Sequence, residues 1–178
     1  PMVAAPVAVG LTWRYMYHHE FGVFNYFVRL LGITPPGWLT DLNFAMISVI
    51  IFDVWQWTPF VALVLLAGLQ SLSPEPYESA TIYGASTWQK FRYITLPSIR
   101  SLMTIVALLR LIDLLKLYDA VYALTRGGPG IATEVLTWYL YKIGFKFWWL
   151  GYASAIALMF QYLVIILSVI TIEKMAKL

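Results

Sequence analysis

The chain has 178 residues, of which 61% are hydrophobic and only 12% charged, about half the charged share of a soluble domain, so its composition suits a bilayer better than water. A net charge of +3 from scattered lysines and arginines excludes the dense basic footprint of a nucleic-acid binder. The lack of cysteine excludes disulfides and thiolate-held metals.

From Pro1 the chain enters an apolar run at once. Residues 2–17 fall just short of the ~20 that a membrane span needs and read as a truncated transmembrane helix lacking an upstream portion. His18 to Asp41 is a polar connection in which Phe21, Tyr26, Phe27 and Trp38 alternate with turn residues, a mixture suited to the membrane–water interface. The adjacent His18, His19 and Glu20 point in different directions on any regular backbone, so no metal site is expected there.

Residues 44–69 form the clearest span. Asp53, Gln56 and Trp57 fall at i, i+3 and i+4 on one face of it, and Pro59 leaves the carbonyl of Trp55 without its usual donor close by. A carboxylate at that depth costs roughly 2.5–3.5 kcal/mol, so Asp53 should face protein or a water-filled path. Packing by an ion pair and lining of a path are both compatible with that pattern.

Ser73 to Pro97 reads as two short helices joined at a glycine. Ser73 is placed to cap the first, with Pro74 and Pro76 in its opening turn. Gly84 suits the left-handed position that ends it, and Ser86 with Gln89 forms a capping box for the second. Trp88, Phe91 and Ile94 recur on one side of the second helix, away from Lys90 and Arg92. The product is an amphipathic elbow, too polar to span and too apolar to remain undocked.

The next span, residues 97–118, carries Arg110, Asp113, Lys116 and Asp119 at i+3 steps, alternating charges that partly neutralise one another. Counted from the elbow, Asp53 and Arg110 reach similar depths and are expected to pair across the helix interface; a charge swap that rescues neither single neutralisation would refute the pairing. Between Tyr118 and Trp149 lie a tight turn at Gly127-Gly128-Pro129-Gly130 and a helix that Thr133 is placed to cap. Trp138, Tyr139, Tyr141, Phe145, Phe147, Trp148 and Trp149 in this stretch suit a position at the headgroups. The last span, residues 151–172, has small residues at Gly151, Ala153, Ala155 and Ala157 that allow close helix approach, and Gln161 near its middle. Glu173 to Leu178 is a short basic tail.

No catalytic set emerges. There is no Gly-x-x-x-x-Gly-Lys-Ser/Thr phosphate loop, no Gly-x-Ser-x-Gly elbow and no nucleophile beside either histidine, so no enzymatic activity and no cofactor are expected of this chain.

Glu78, Ser79 and Ala80, followed by Gly84, Ile94, Leu96 and Pro97, resemble without a gap the Glu-Ala-Ala loop of permease subunits in binding-protein-dependent ABC importers, with Ser79 in place of the first alanine. Tyr118-Asp119, Leu124-Thr125, Gly127-Gly128-Pro129, Thr133-Glu134-Val135 and Gly151 to Ala155 are similar to the carbohydrate-type branch, which includes maltose-type and glycerol-phosphate-type permeases. Trp57-Thr58-Pro59-Phe60 and Ala67-Gly68-Leu69-Gln70 add to that likeness. The resemblance runs from about Asp53 to the end, and more loosely over the start.

The resemblance implies an all-α, polytopic transmembrane helical bundle in a bacterial or archaeal cytoplasmic membrane, with a cytoplasmic coupling helix-turn-helix at residues 73–97. It implies two ABC ATPase subunits, a second permease subunit, an extracytoplasmic solute-binding protein and a sugar or sugar-like substrate as partners. Glu78, Ser79, Ala80, Gly84, Ile94, Leu96 and Pro97 would carry the coupling. Asp53, Gln56, Trp57, Arg110, Asp113 and Tyr118 are candidates for the path, since aromatic faces and hydrogen-bonding groups suit sugars. Orientation rests on the resemblance, because five lysines and arginines fall on each side. The other class compatible with the residues is a non-transport membrane sensor or scaffold whose loop docks a different partner.

Overall fold

Long apolar runs become helices here, and the turn residues between them set where each helix stops. A computed structural model describes the backbone of residues 1–176 and the side chains of residues 1–171. Its regular elements are α1 (Pro6–Met16), α2 (Val23–Leu30), α3 (Phe44–Gln70), α4 (Glu75–Ile82), α5 (Thr87–Lys90), α6 (Leu96–Leu115), α7 (Asp119–Leu124), α8 (Leu136–Tyr141) and α9 (Leu150–Ala176). Two π-helical turns, Phe91–Thr95 and Lys142–Lys146, continue α5 and α8. All of this regular structure is helical, as the sequence leads one to expect.

Several boundaries differ from the expected ones. The first helix has 11 residues, with Pro6 supplying its first turn. The connection after it contains α2, which the mixture of aromatic and turn residues concealed. The helix expected over 97–118 stops at Leu115, so the stripe from Arg110 to Asp119 is not carried on one helix: Lys116 lies beyond α6 and Asp119 opens α7. The tail expected at Glu173–Leu178 has its side chains outside the described residues.

Among the described residues, Phe44–Gln70 and Leu150–Thr171 are long and apolar enough to cross a membrane. The 20-residue α6 carries Arg100, Arg110 and Asp113.

The chain divides into two units, Pro1–Pro59 with Leu114–Val164 and Phe60–Asp113 with Ile165–Leu178. The first is built on an aromatic core of Trp13, Tyr17, Phe52 and Trp138, closed by Val49, Ala120, Val121 and Leu124. Trp13 meets Phe52 edge-on with centroids 5.6 Å apart, an arrangement the ring quadrupoles favour. Helix α1 approaches α7 closely because Gly10 has no side chain; a Cβ there would stand 2.5 Å from the Cβ of Ala123. Tyr17 donates its buried hydroxyl to the Ser48 carbonyl at 3.1 Å, and Ser48 Oγ donates to the Trp38 carbonyl at 2.8 Å. In the second unit, Gly68 of α3 lies against Leu102 of α6, again where a Cβ would overlap the neighbour.

Candidate functional site

The elbow is assembled almost entirely from local hydrogen bonds. Ser73 does not cap α4. Pro74 is its N-cap, already in helical backbone conformation and without a side-chain bond, so the proline ring geometry starts the helix in place of a serine hydroxyl. At the other end Gly84 has φ +75°. Its N–H donates to the Thr81 carbonyl at 3.0 Å, and the Ala85 N–H donates to the Ala80 carbonyl at 2.9 Å. These two bonds satisfy carbonyls that the helix end would otherwise leave open.

Across this turn the Ser86–Gln89 capping box forms in both directions. The Gln89 N–H donates to Ser86 Oγ at 3.3 Å, and the Ser86 N–H donates to Gln89 Oε1 at 2.7 Å.

Two further bonds hold the arms together. The Tyr77 and Thr95 hydroxyls share a hydrogen bond of 2.9 Å, and Lys90 Nζ donates to Thr81 Oγ1 at 3.0 Å. The first bond joins α4 to the π-helical turn that leads into Leu96 and Pro97. That turn inserts an extra residue between α5 and α6, a feature with no sequence signature.

So braced, the elbow presents an apolar surface to the outside. Ile82 is 84% exposed and Tyr83 90%, while Trp88 and Phe91 stack with centroids 5.6 Å apart and remain exposed. Glu78 and Ser79 are exposed, and Ala80 is half-buried. An exposed apolar surface braced by hydrogen bonds offers a partner something to grip.

The polar residues of the spans divide between the two units. In the first, Asp53 and Gln56 are only 8% and 5% exposed and extend the buried face of α3 formed by Ala45, Val49 and Phe52, with Trp57 half-buried beside them. Near Pro59 the Thr58 hydroxyl donates back to the Val54 carbonyl at 2.6 Å. Tyr118, beyond the end of α6, joins Tyr122, Trp138 and Tyr141 at centroid distances of 5.7, 6.0 and 5.4 Å. A cleft of about 430 Å³ opens there, lined by Tyr118, Thr137, Tyr141, Phe145, Ser154 and Ala157, so that aromatic faces and hydroxyl groups share one wall. In the second unit, Arg110 lies 3.7 Å from Asp113 on α6.

Thr133 does not cap α8, whose N-cap is Val135. It is fully buried and ties the glycine turn instead, donating to the Gly128 carbonyl at 2.7 Å and bonding the Thr125 hydroxyl at 2.6 Å. Sequence reasoning also missed three contacts that shape this region. Thr137 donates to the Leu117 carbonyl, Lys142 pairs with Glu134, and Lys146 sits 5.1 Å over the Trp138 ring. At the other connection His18 stacks on Phe21 at 3.7 Å, and its Nδ1 accepts the Glu20 N–H at 3.3 Å.

Comparison with known proteins agrees over nearly the whole chain. The family model described as binding-protein-dependent transport system inner membrane component matches residues 1–175. A probable ABC transporter permease, y4oQ of Sinorhizobium fredii, is 43% identical over 168 residues, covering 94% of this chain and 54% of its own. The trehalose/maltose transport system permease MalF of Thermococcus litoralis is 36% identical over 176 residues, covering 97% and 58%. The chain thus spans a little over half the length of these relatives. A solved bacterial ABC transporter involved in import of the acidic polysaccharide alginate superimposes with a TM-score of 0.90 at 23% identity, over all of this chain and 63% of that one, and shows the fold. On the family match and the two relatives, the chain belongs to the binding-protein-dependent transport system inner membrane components.

Proposed function

We propose that this chain supplies membrane spans and the ATPase-coupling elbow of a permease subunit in an ABC importer for a sugar or sugar-like polyol. The observation that carries this reading is the elbow. Glu78, Ser79, Ala80 and Gly84 lie on α4 and its closing turn, and Ile94, Leu96 and Pro97 on the π-helical turn and start of α6 braced to it, beside an exposed apolar surface, in a chain whose relatives include a trehalose/maltose permease.

In this reading α3, α6, α9 and, at its start, α1 cross the cytoplasmic membrane of a bacterium or archaeon, with residues 73–97 inside. One of two ATPase subunits grips the elbow, a second permease completes the path, and a solute-binding protein delivers substrate from outside. Hydrolysis belongs to the ATPases, and Glu78, Ala80 and Gly84 pass their closure to the spans. For the path we keep Asp53, Gln56, Trp57 and Tyr118 in the first unit and Arg110 and Asp113 in the second. Each places a hydrogen-bonding group or an aromatic face in or beside a span, as a hydroxylated solute requires. The cleft beside Tyr118 supports the aromatic part of this assignment.

The test uses the full-length protein purified with its ATPase and second permease. Gly84→Asp or Glu78→Arg should release the ATPase or uncouple hydrolysis from uptake while the membrane subunits remain inserted. Full coupling in both variants would refute the elbow as the working contact; a full-length protein that retains no ATPase and supports no uptake even without these substitutions would favour a sensor or scaffold that docks something else.

A further inference from the structure

Helix α2 (Val23–Leu30) is apolar on two sides: Phe24 packs inward against Trp13 and Tyr17, with centroids 5.4 and 4.9 Å away, and a second set of apolar residues faces away from the chain. Val23, Tyr26, Phe27 and Leu30, at i, i+3, i+4 and i+7, form one stripe that is 48–65% exposed, and Leu31 and Ile33 extend it. On the inner side, beside Phe24, the fully buried residue is Asn25. Asn25 Nδ2 donates to the His18 and His19 carbonyls at 2.8 and 2.7 Å, and its Oδ1 accepts from Trp38 Nε1 at 2.8 Å.

The same contacts fix the level of α2 along α3. Trp38 bonds Asn25 through its ring and, through its carbonyl, accepts the hydroxyl of Ser48, four residues into α3. At 1.5 Å per residue, that is about 6 Å from the end of the helix. Helix α2 is therefore pinned at the rim of the longest apolar helix of the unit, with an apolar stripe turned outward and Arg29 exposed on its flank.

From this we infer that α2 is an interfacial helix that lies in the outer leaflet. Val23, Tyr26, Phe27 and Leu30 enter the acyl boundary, and Arg29 reaches up to a lipid phosphate. An apolar face with a cation at its edge, held at the end of a span, matches the headgroup zone in both depth and charge. A water-facing position would leave four contiguous apolar side chains solvated. Docking of a protein helix would not need the guanidinium at the rim. The inference rests on the membrane-spanning reading of α3 given above.

Single cysteines replacing Phe27 or Leu30 in the full-length complex, with any native cysteines removed, can be labelled with an environment-sensitive fluorophore. The complex is then reconstituted into phosphatidylethanolamine and phosphatidylglycerol vesicles that carry nitroxides at shallow or deep acyl positions. Both probes should be quenched by the shallow nitroxide more than by the deep one, and should resist a water-soluble quencher. Quenching by the aqueous agent alone would overturn the inference in favour of a solvated helix, and protection from all quenchers would overturn it in favour of a protein neighbour. Probes replacing Val54 and Met159, both exposed near mid-helix, report separately on the spans. If neither of these meets the deep nitroxide, the membrane-spanning reading falls and takes this one with it; failure at α2 alone leaves that reading standing.

Discussion

Gly84 and Gly127 share a left-handed backbone, with φ of +75° and +85°, but their surroundings differ. Nothing lies within 4 Å of where a Cβ would stand at Gly84, whereas at Gly127 it would overlap the indole of Trp138. Gly84→Ala should therefore cost only backbone strain, about 1 kcal/mol. Gly127→Ala adds an overlap worth roughly 1–3 kcal/mol and should lower the thermal midpoint of the purified protein clearly more. At Thr133, Thr133→Val leaves the Gly128 carbonyl and the Thr125 hydroxyl without their buried partner and should destabilise by about 2 kcal/mol, while Thr133→Ser should recover most of the loss. Equal midpoints for the valine and serine variants would show that the hydroxyl contributes nothing to the turn.

At the scale of the element, two contacts decide how helices sit within the first unit. The meeting of α1 and α7 depends on Gly10 against Ala123, so Gly10→Ala should push the helices apart at a cost of about 1–3 kcal/mol, and a compensating Ala123→Gly should restore the midpoint. The seat of α2 depends on Asn25 as a double donor. Asn25→Asp replaces two N–H donors by a carboxylate facing two carbonyls, and the exposure of the His18–Trp38 segment to limited proteolysis should rise sharply. The elbow differs in kind. Its left-handed glycine and its capping box are local bonds, and the spacing of Gly84, Ser86 and Gln89 announced them. Helix α2 gave no such signal, because apolar residues on both sides, Phe24 inward and Val23, Tyr26, Phe27 and Leu30 outward, blur the single apolar face by which a surface helix is ordinarily recognised.

On the scale of the whole molecule, elbow variants separate folding from coupling. Aspartate adopts the left-handed region more readily than alanine and meets open space at position 84, so Gly84→Asp should be no less stable than Gly84→Ala. If the elbow docks the ATPase, the aspartate variant should nevertheless lose far more transport per ATP hydrolysed; equal transport by the two would place the docking surface elsewhere. By itself the sequence determined the helical class, the two longest apolar helices, the glycine turn and capping box of the elbow, and the family. These follow from residue type and from bonds reaching no more than five residues along the chain. Only the tertiary structure decided that Thr133 ties a turn and does not cap a helix, that α6 stops at Leu115, that Tyr118 joins an aromatic cleft, and which way α2 faces. The physical reason is distance along the chain. Tyr17 meets Ser48 31 residues away and Thr137 meets Leu117 20 residues away, and no periodicity in either segment encodes the partner that buries it.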